Sequence, residues 1–227
     1  MRWSILVALS VSVLGVSACS SKSGEGGEVN PVDIPAKSTS HVVLAWNDLG
    51  MHCLNPTYDQ AVILPPYNTV WAQVIERGSP PKVVTQDLTI SYRLIGNTTS
   101  MGKTDALGGN FDQFWANSQA LFGVTLQDDT GLNLVDSSLH NGLSGEMVAS
   151  SDHFEVDGMP VVPVLDDGTW TPYQVAELIV KDGSGTELVR TRATVPTSDE
   201  LNCAKCHGQG GEATEAISGG GKVVLAN

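Results

Sequence analysis

Positive charge is scarce in this sequence: 12 Lys and Arg stand against 25 Asp and Glu in 227 residues, a formal net charge of -13. A chain of this sign repels phosphate backbones, and no Lys/Arg run offsets the imbalance, so nucleic-acid binding is excluded. A basic protein partner is not. Aromatic residues make up 6% and charged residues 16%, so the surface must be built largely from Ser, Thr, Asn, Gln and Gly. That balance suits a secreted β-rich protein and excludes a long charged coiled coil. No P-loop, dinucleotide fingerprint, Ser-His-Asp motif or paired-carboxylate spacing occurs, which removes any sequence basis for phosphoryl transfer or hydrolysis. What is present is 41% hydrophobic residues, enough for the core of one large or two small domains.

The chain opens with Arg2, an apolar stretch from Ile5 to Val16, and then Val16-Ser17-Ala18-Cys19. The stretch is too short for a membrane-spanning helix and has the order of a secretory signal. Its end resembles the lipobox of bacterial lipoproteins, which implies cleavage before Cys19, a lipid on its thiol and a membrane anchor in the bacterial cell envelope, on its periplasmic or extracellular face. An ordinary signal cut after Ala18, leaving Cys19 a plain thiol, is the alternative. Residues 1–18 are thus expected as signal peptide and 19–40, rich in Ser, Gly, Glu and Lys, as a flexible tether.

Residues 41–196 read as one mainly β domain. His41 to Trp46 is a short β-prone run, and Tyr67 to Ile75 alternates, with Val70, Ala72 and Val74 or the opposite set on the buried face. Val83 to Leu94 has the clearest period of two, Leu88, Ile90, Tyr92 and Leu94 pointing one way. Phe111 to Gly123 has helical spacing, with Asn110 as cap, Asp112 in the first turn and Gly123 as stop. Its aromatic residues are expected to pack on a sheet, the alternative being the lining of a ligand groove. Met147 to Val156 and Met159 to Leu165 read as strands about an Asp157-Gly158 turn, and Tyr173 to Lys181 and Glu187 to Val195 as a hairpin across Asp182-Gly183-Ser184-Gly185. The expected fold is an immunoglobulin-like β-sandwich with a short inserted helix, followed by a separate C-terminal segment over 197–227.

That last segment contains Cys203-Ala204-Lys205-Cys206-His207. Two thiols three positions apart can each form a thioether to one haem, and the adjacent His then lies under the iron as an axial ligand. A CxxC dithiol or disulfide and a zinc knuckle are the rival readings. The tail adds no further Cys or His for zinc, no βαβ pattern suggests a thioredoxin-like site, and the secretory signal supplies the compartment where haem c is attached. One covalent haem c is therefore expected, held by Cys203, Cys206 and His207. Too little chain follows His207 to fold as a helical cytochrome, so either the β-domain is expected to wall the other haem face or the chain is the shortened form of a longer cytochrome.

Upstream stand Asn47-Asp48-Leu49-Gly50-Met51-His52-Cys53 and Ile63-Leu64-Pro65-Pro66-Tyr67-Asn68. With these segments before a later CxxCH, the chain resembles a poorly characterised family of bacterial extracytoplasmic c-type haem proteins. The resemblance covers most of residues 41–210, including Trp170-Thr171-Pro172-Tyr173-Gln174 and the approach to Cys203. It implies a haem protein more firmly than an activity.

Met sulfur and His nitrogen both ligate haem iron, and Met, His and Cys together also suit copper. His52 is the preferred distal ligand and Met51 the second choice. In the blander alternative His52 is hydrogen-bonded within its loop and Cys53 is a small buried hydrophobe. His41, His140 and His153 are expected to be surface or structural. The expected function is electron transfer by a membrane-anchored c-type cytochrome, with a basic redox partner protein. The alternatives are a haem-based enzyme or ligand sensor with an open sixth site, and a nonredox binding module.

Overall fold

A computed structural model describes residues 38, 40–54, 64–104, 108–133, 136 and 138–199. The signal, the lipobox Cys19, most of the tether and the Cys203-Cys206-His207 segment lie outside the described residues. The described chain is mostly β-sheet with one short α-helix.

Alternation of apolar and polar residues builds two five-stranded sheets. In the first, β1 (His41–Asn47), β3 (Asn68–Glu76), β8 (Phe154–Met159) and β7 (Val148–Ala149) follow one another, and β4 (Lys82–Val83) also pairs with β3. The second runs β2 (His52–Cys53), β10 (Glu187–Ser198), β9 (Tyr173–Asp182), β5 (Leu88–Leu94), β6 (Ser144–Glu146). Val70, Ala72 and Val74 of β3 are the buried set, and Ile90, Tyr92 and Leu94 of β5 point inward as their period of two requires. They meet in one core with Val43, Phe154 and Val156 from the first sheet and Leu178, Val180, Ala193 and Val195 from the second.

The expected hairpin forms. Tyr173–Asp182 and Glu187–Ser198 pair antiparallel, and Asp182 Oδ1 accepts the amides of Ser184 and Thr186 to close the turn. Its outer face buries the Glu177 carboxylate among Arg93, Arg190 and Arg192. Burial alone would raise that carboxyl's pKa, but the guanidinium groups hold it below the ordinary range.

Three expectations change. The Val83 to Leu94 run is divided, because Asp87 takes a positive φ of 56° between β4 and β5. Asp157-Gly158 is not a turn: β8 passes straight through it. Gly158 is required on two counts: its φ is 68°, and an added Cβ there would lie 2.3 Å from the Leu132 carbonyl oxygen, while one on Gly131 would lie 1.5 Å from the Gly158 oxygen. The glycine pair therefore marks a backbone crossing, with the turn falling earlier, before Phe154. Met159 to Leu165 forms no strand; Pro160 and Pro163 lack amide donors, and Val164 makes only an isolated bridge to Trp170.

Helix α1 (Gln113–Phe122) starts two residues later than expected, with Asp112 rather than Asn110 at its N-cap. Asn110 Oδ1 instead accepts the Asp112 amide at 2.9 Å, and Gly123 ends the helix in the left-handed region. Phe114 and Trp115 pack with Leu126 and Leu132 in a satellite cluster, whereas Phe111 joins Leu54, Val162 and Val164 in another. No helix among the described residues is long and apolar enough to cross a membrane.

Candidate functional site

Gly50, at φ 71° with open space around it, turns the chain out of β1 and delivers Met51-His52-Cys53 to the second sheet. There His52 pairs with Thr197 and Cys53 with Ser198, in parallel, and the Leu54 amide donates to the Ser198 carbonyl at 2.8 Å. This joins one motif to the last residues of β10, directly before the chain runs toward Cys203. Three residues lie between Asp199 and Cys203, so the four steps of a fully extended path span at most about 14 Å.

Side chains lock the junction. Asn68, fully buried, donates from Nδ2 to the Pro196 carbonyl at 2.8 Å and to Thr197 Oγ1 at 2.9 Å. Its Oδ1 accepts the Thr69 amide at 3.0 Å and the Asn47 Nδ2 group. Asn47 also donates to the Thr69 carbonyl at 2.9 Å, and its Oδ1 is the one buried side-chain polar atom among the described residues without a hydrogen-bond partner. Trp170 Nε1 donates to Asp199 Oδ1 at 2.8 Å, and the Thr197 amide donates to Pro172 at 2.8 Å. Three of the segments that carried the family resemblance, those around Asn47–Cys53, Pro65–Asn68 and Trp170–Gln174, therefore converge on the end of β10. Sequence reasoning singled out these segments without assigning Asn68, Trp170 or Asp199 a role; their buried hydrogen bonds span long stretches of sequence and leave no local pattern.

His52 is buried, at 6% exposure, and its Nε2 donates to the Pro65 carbonyl at 2.6 Å. Burial pushes its pKa below the ordinary value of 6.5, only partly opposed by that hydrogen bond, so the site favours the neutral ring, whose Nε2 is committed to Pro65. The Tyr67 ring lies 6.2 Å away. Met51 is different. Its side chain is 37% exposed beside exposed Leu49, so its thioether is reachable from outside the fold. Cys53 is half-buried.

The remaining histidines are structural. His41 contacts Ser40, His140 the Gly131 carbonyl, and His153 sits between Asp152 and Glu155. Among the described residues no three His, Cys, Asp or Glu side chains form a group that could hold a metal ion. A surface cleft of about 470 Å³ lies beside Thr98, Lys103 and Asp166. The Lys103 Nζ donates to Asn97 Oδ1 at 2.7 Å and Asp166 Oδ1 at 2.9 Å, while Asn97 donates to the buried Gln174. The cation is thus matched in place and ties the loop to the second sheet, a structural arrangement.

Comparison with protein-family models, curated proteins and solved structures finds no match to this chain.

Proposed function

We propose that this chain is a lipid-anchored c-type cytochrome that transfers electrons outside the cytoplasm, its two sheets forming an immunoglobulin-like sandwich that walls one side of a haem. Cys203 and Cys206 would hold the haem covalently and His207 would be one axial ligand. When bound, the group supplies a one-electron iron couple whose potential is tuned by axial ligands and burial. The observation that carries the reading is the pairing of His52-Cys53 with Thr197-Ser198, which puts a Met- and His-bearing turn beside the strand leading into the CxxCH segment.

The donor chemistry fits, with one change of emphasis. His52 already spends Nε2 on Pro65 and is buried, whereas Met51 offers an accessible sulfur on the same turn. Met51 is therefore the better distal ligand, and His52 holds the turn that presents it. The engagement of His52 also favours, as second reading, a haem with an open sixth position that binds a diatomic ligand. Cys19 lipidation would retain the protein at the bacterial cell envelope, and the acidic surface would select a basic redox partner.

Protein matured in an extracytoplasmic compartment tests this by mass spectrometry with reduced and oxidised optical spectra. One haem per chain, resistant to acid-acetone extraction, is expected. A chain with no covalent haem removes the cytochrome reading, and a pentacoordinate spectrum that changes on adding carbon monoxide favours the open site.

A further inference from the structure

The outer face of the first sheet is apolar where a solvated sheet face is ordinarily polar. Register sets Val42, Ile75 and Val83 in one row, Leu44 beside Gln73 in the next, and Trp46, Trp71, Glu155 and Val148 in a third. The alternating residues Val43, Val70, Ala72 and Val74 fill the core, so these rows point outward. Leu44 is 49%, Trp46 40% and Val148 44% exposed. Trp46 meets Trp71 edge to face at 6.3 Å, and His153 stacks on Trp71 at 4.4 Å.

The end of this face around the two indoles is acidic. Glu155 stands in the tryptophan row, and Asp152, largely exposed, accepts from His153 Nδ1 at 2.8 Å. Asp157 is close enough to Glu155 and Asp48 that, after burial itself, both like charges raise its carboxyl pKa. The basic residues among those described lie elsewhere. Arg93, Lys181, Arg190 and Arg192 are on strands of the second sheet, Lys103 is in its cleft, and Lys82 and Arg77 flank the opposite end of β3.

From this segregation we infer that the outer face of the first sheet, centred on Trp46 and Trp71, is a docking surface for a basic protein. Lys and Arg side chains of that partner would meet Asp48, Asp152 and Glu155 with their charged heads, while their aliphatic stems and planar groups cover the indoles. Trp46 also lies on the strand that turns directly into Met51 and His52, so the partner would sit at the end of β1 nearest the candidate site. This deepens the electron-transfer proposal, on which it rests only for the redox character of the partner.

The test titrates the full chain with a basic c-type cytochrome by calorimetry, and with the same cytochrome after its lysines are succinylated, at low and at physiological ionic strength. Saturable binding is expected that weakens with salt and vanishes for the succinylated probe. It should fall about tenfold in Trp46→Ala and in Asp152→Asn/Glu155→Gln, and stay unchanged in Glu146→Gln on the second sheet. Absence of binding at low salt, or equal binding by all variants, overturns the inference. So does a parent protein that sediments as a dimer and becomes monomeric in Trp46→Ala, since the face then belongs to a second copy. Binding without electron transfer defeats the proposed function and leaves the surface standing; electron transfer at the parental rate in both face variants does the reverse.

Discussion

The imidazole of His52 reaches the carbonyl of Pro65 across 2.6 Å and so fastens one sequence segment to another thirteen positions on. The bond fixes the turn from below and leaves Met51 on its open side. The two neighbours thus take different work, one holding and one presenting.

His52→Ala should lower unfolding free energy by about 1–3 kcal/mol, because a buried ring is removed and the half-buried Pro65 carbonyl loses its donor. Met51→Ala, exposed, should cost within about 0.5 kcal/mol in the same urea titration. In haem-loaded protein the order should invert: Met51→Ala converts a low-spin spectrum to a high-spin one, and His52→Ala retains the sulfur-ligated bands. A low-spin spectrum in Met51→Ala that is lost in His52→Ala would return the ligand role to the imidazole.

Two histidines should bend the pH–stability curve in opposite senses. His52 has a folded pKa below its ordinary 6.5, so its contribution is present above that value and is lost as pH falls toward the folded pKa. His153 is raised, first by its hydrogen bond to Asp152 and further by Glu155. Its contribution is complete below 6.5 and is lost as pH rises through the folded value. Denaturant midpoints between pH 5 and 8 should show less acid sensitivity in His52→Phe and less alkaline sensitivity in His153→Phe; the same slope in parent and variants would contradict the assignment.

Gly131→Ala should be among the most damaging single changes, roughly 3–5 kcal/mol, since the new Cβ would meet the Gly158 carbonyl oxygen at 1.5 Å. Gly50→Ala, with no neighbour within 4 Å, should cost only the left-handed backbone penalty of about 1–2 kcal/mol. Thermal melts that rank the two in the other order would show that the crossing at Gly158 can relax.

Cys203→Ser/Cys206→Ser should remove covalent haem while the β-domain keeps its melting transition, because the core is closed by residues no later than Val195. Normal haem stoichiometry in the double variant, read by mass spectrometry, would defeat the thioether assignment.

How much of this could be read beforehand depended on how local its cause is. The inward set of β5 and the β9–β10 hairpin were legible because a period of two and an Asp-Gly-rich turn are written in adjacent residues. Gly158 was misread for the opposite reason: the need for glycine there comes in part from the Leu132 carbonyl, which no neighbouring residue announces. The candidate site divides the same way. Met51 and His52 were picked out by their chemistry, but their unequal exposure follows from the Pro65 carbonyl and the parallel contact with β10. Asn68, fully buried and spanning β3 and β10, was invisible as anything more than part of a motif.

The short parallel contact between β2 and the end of β10 has a consequence for how strong any bond at the turn needs to be. With Ser198 fixed beside Cys53, a group attached a few residues further along the chain would be tethered to the turn at an effective concentration on the order of millimolar. The proposed thioether–iron bond, weak between separate molecules, would then close as an intramolecular ring. The entropy of bringing the two ends together has already been lost when the sheet folds.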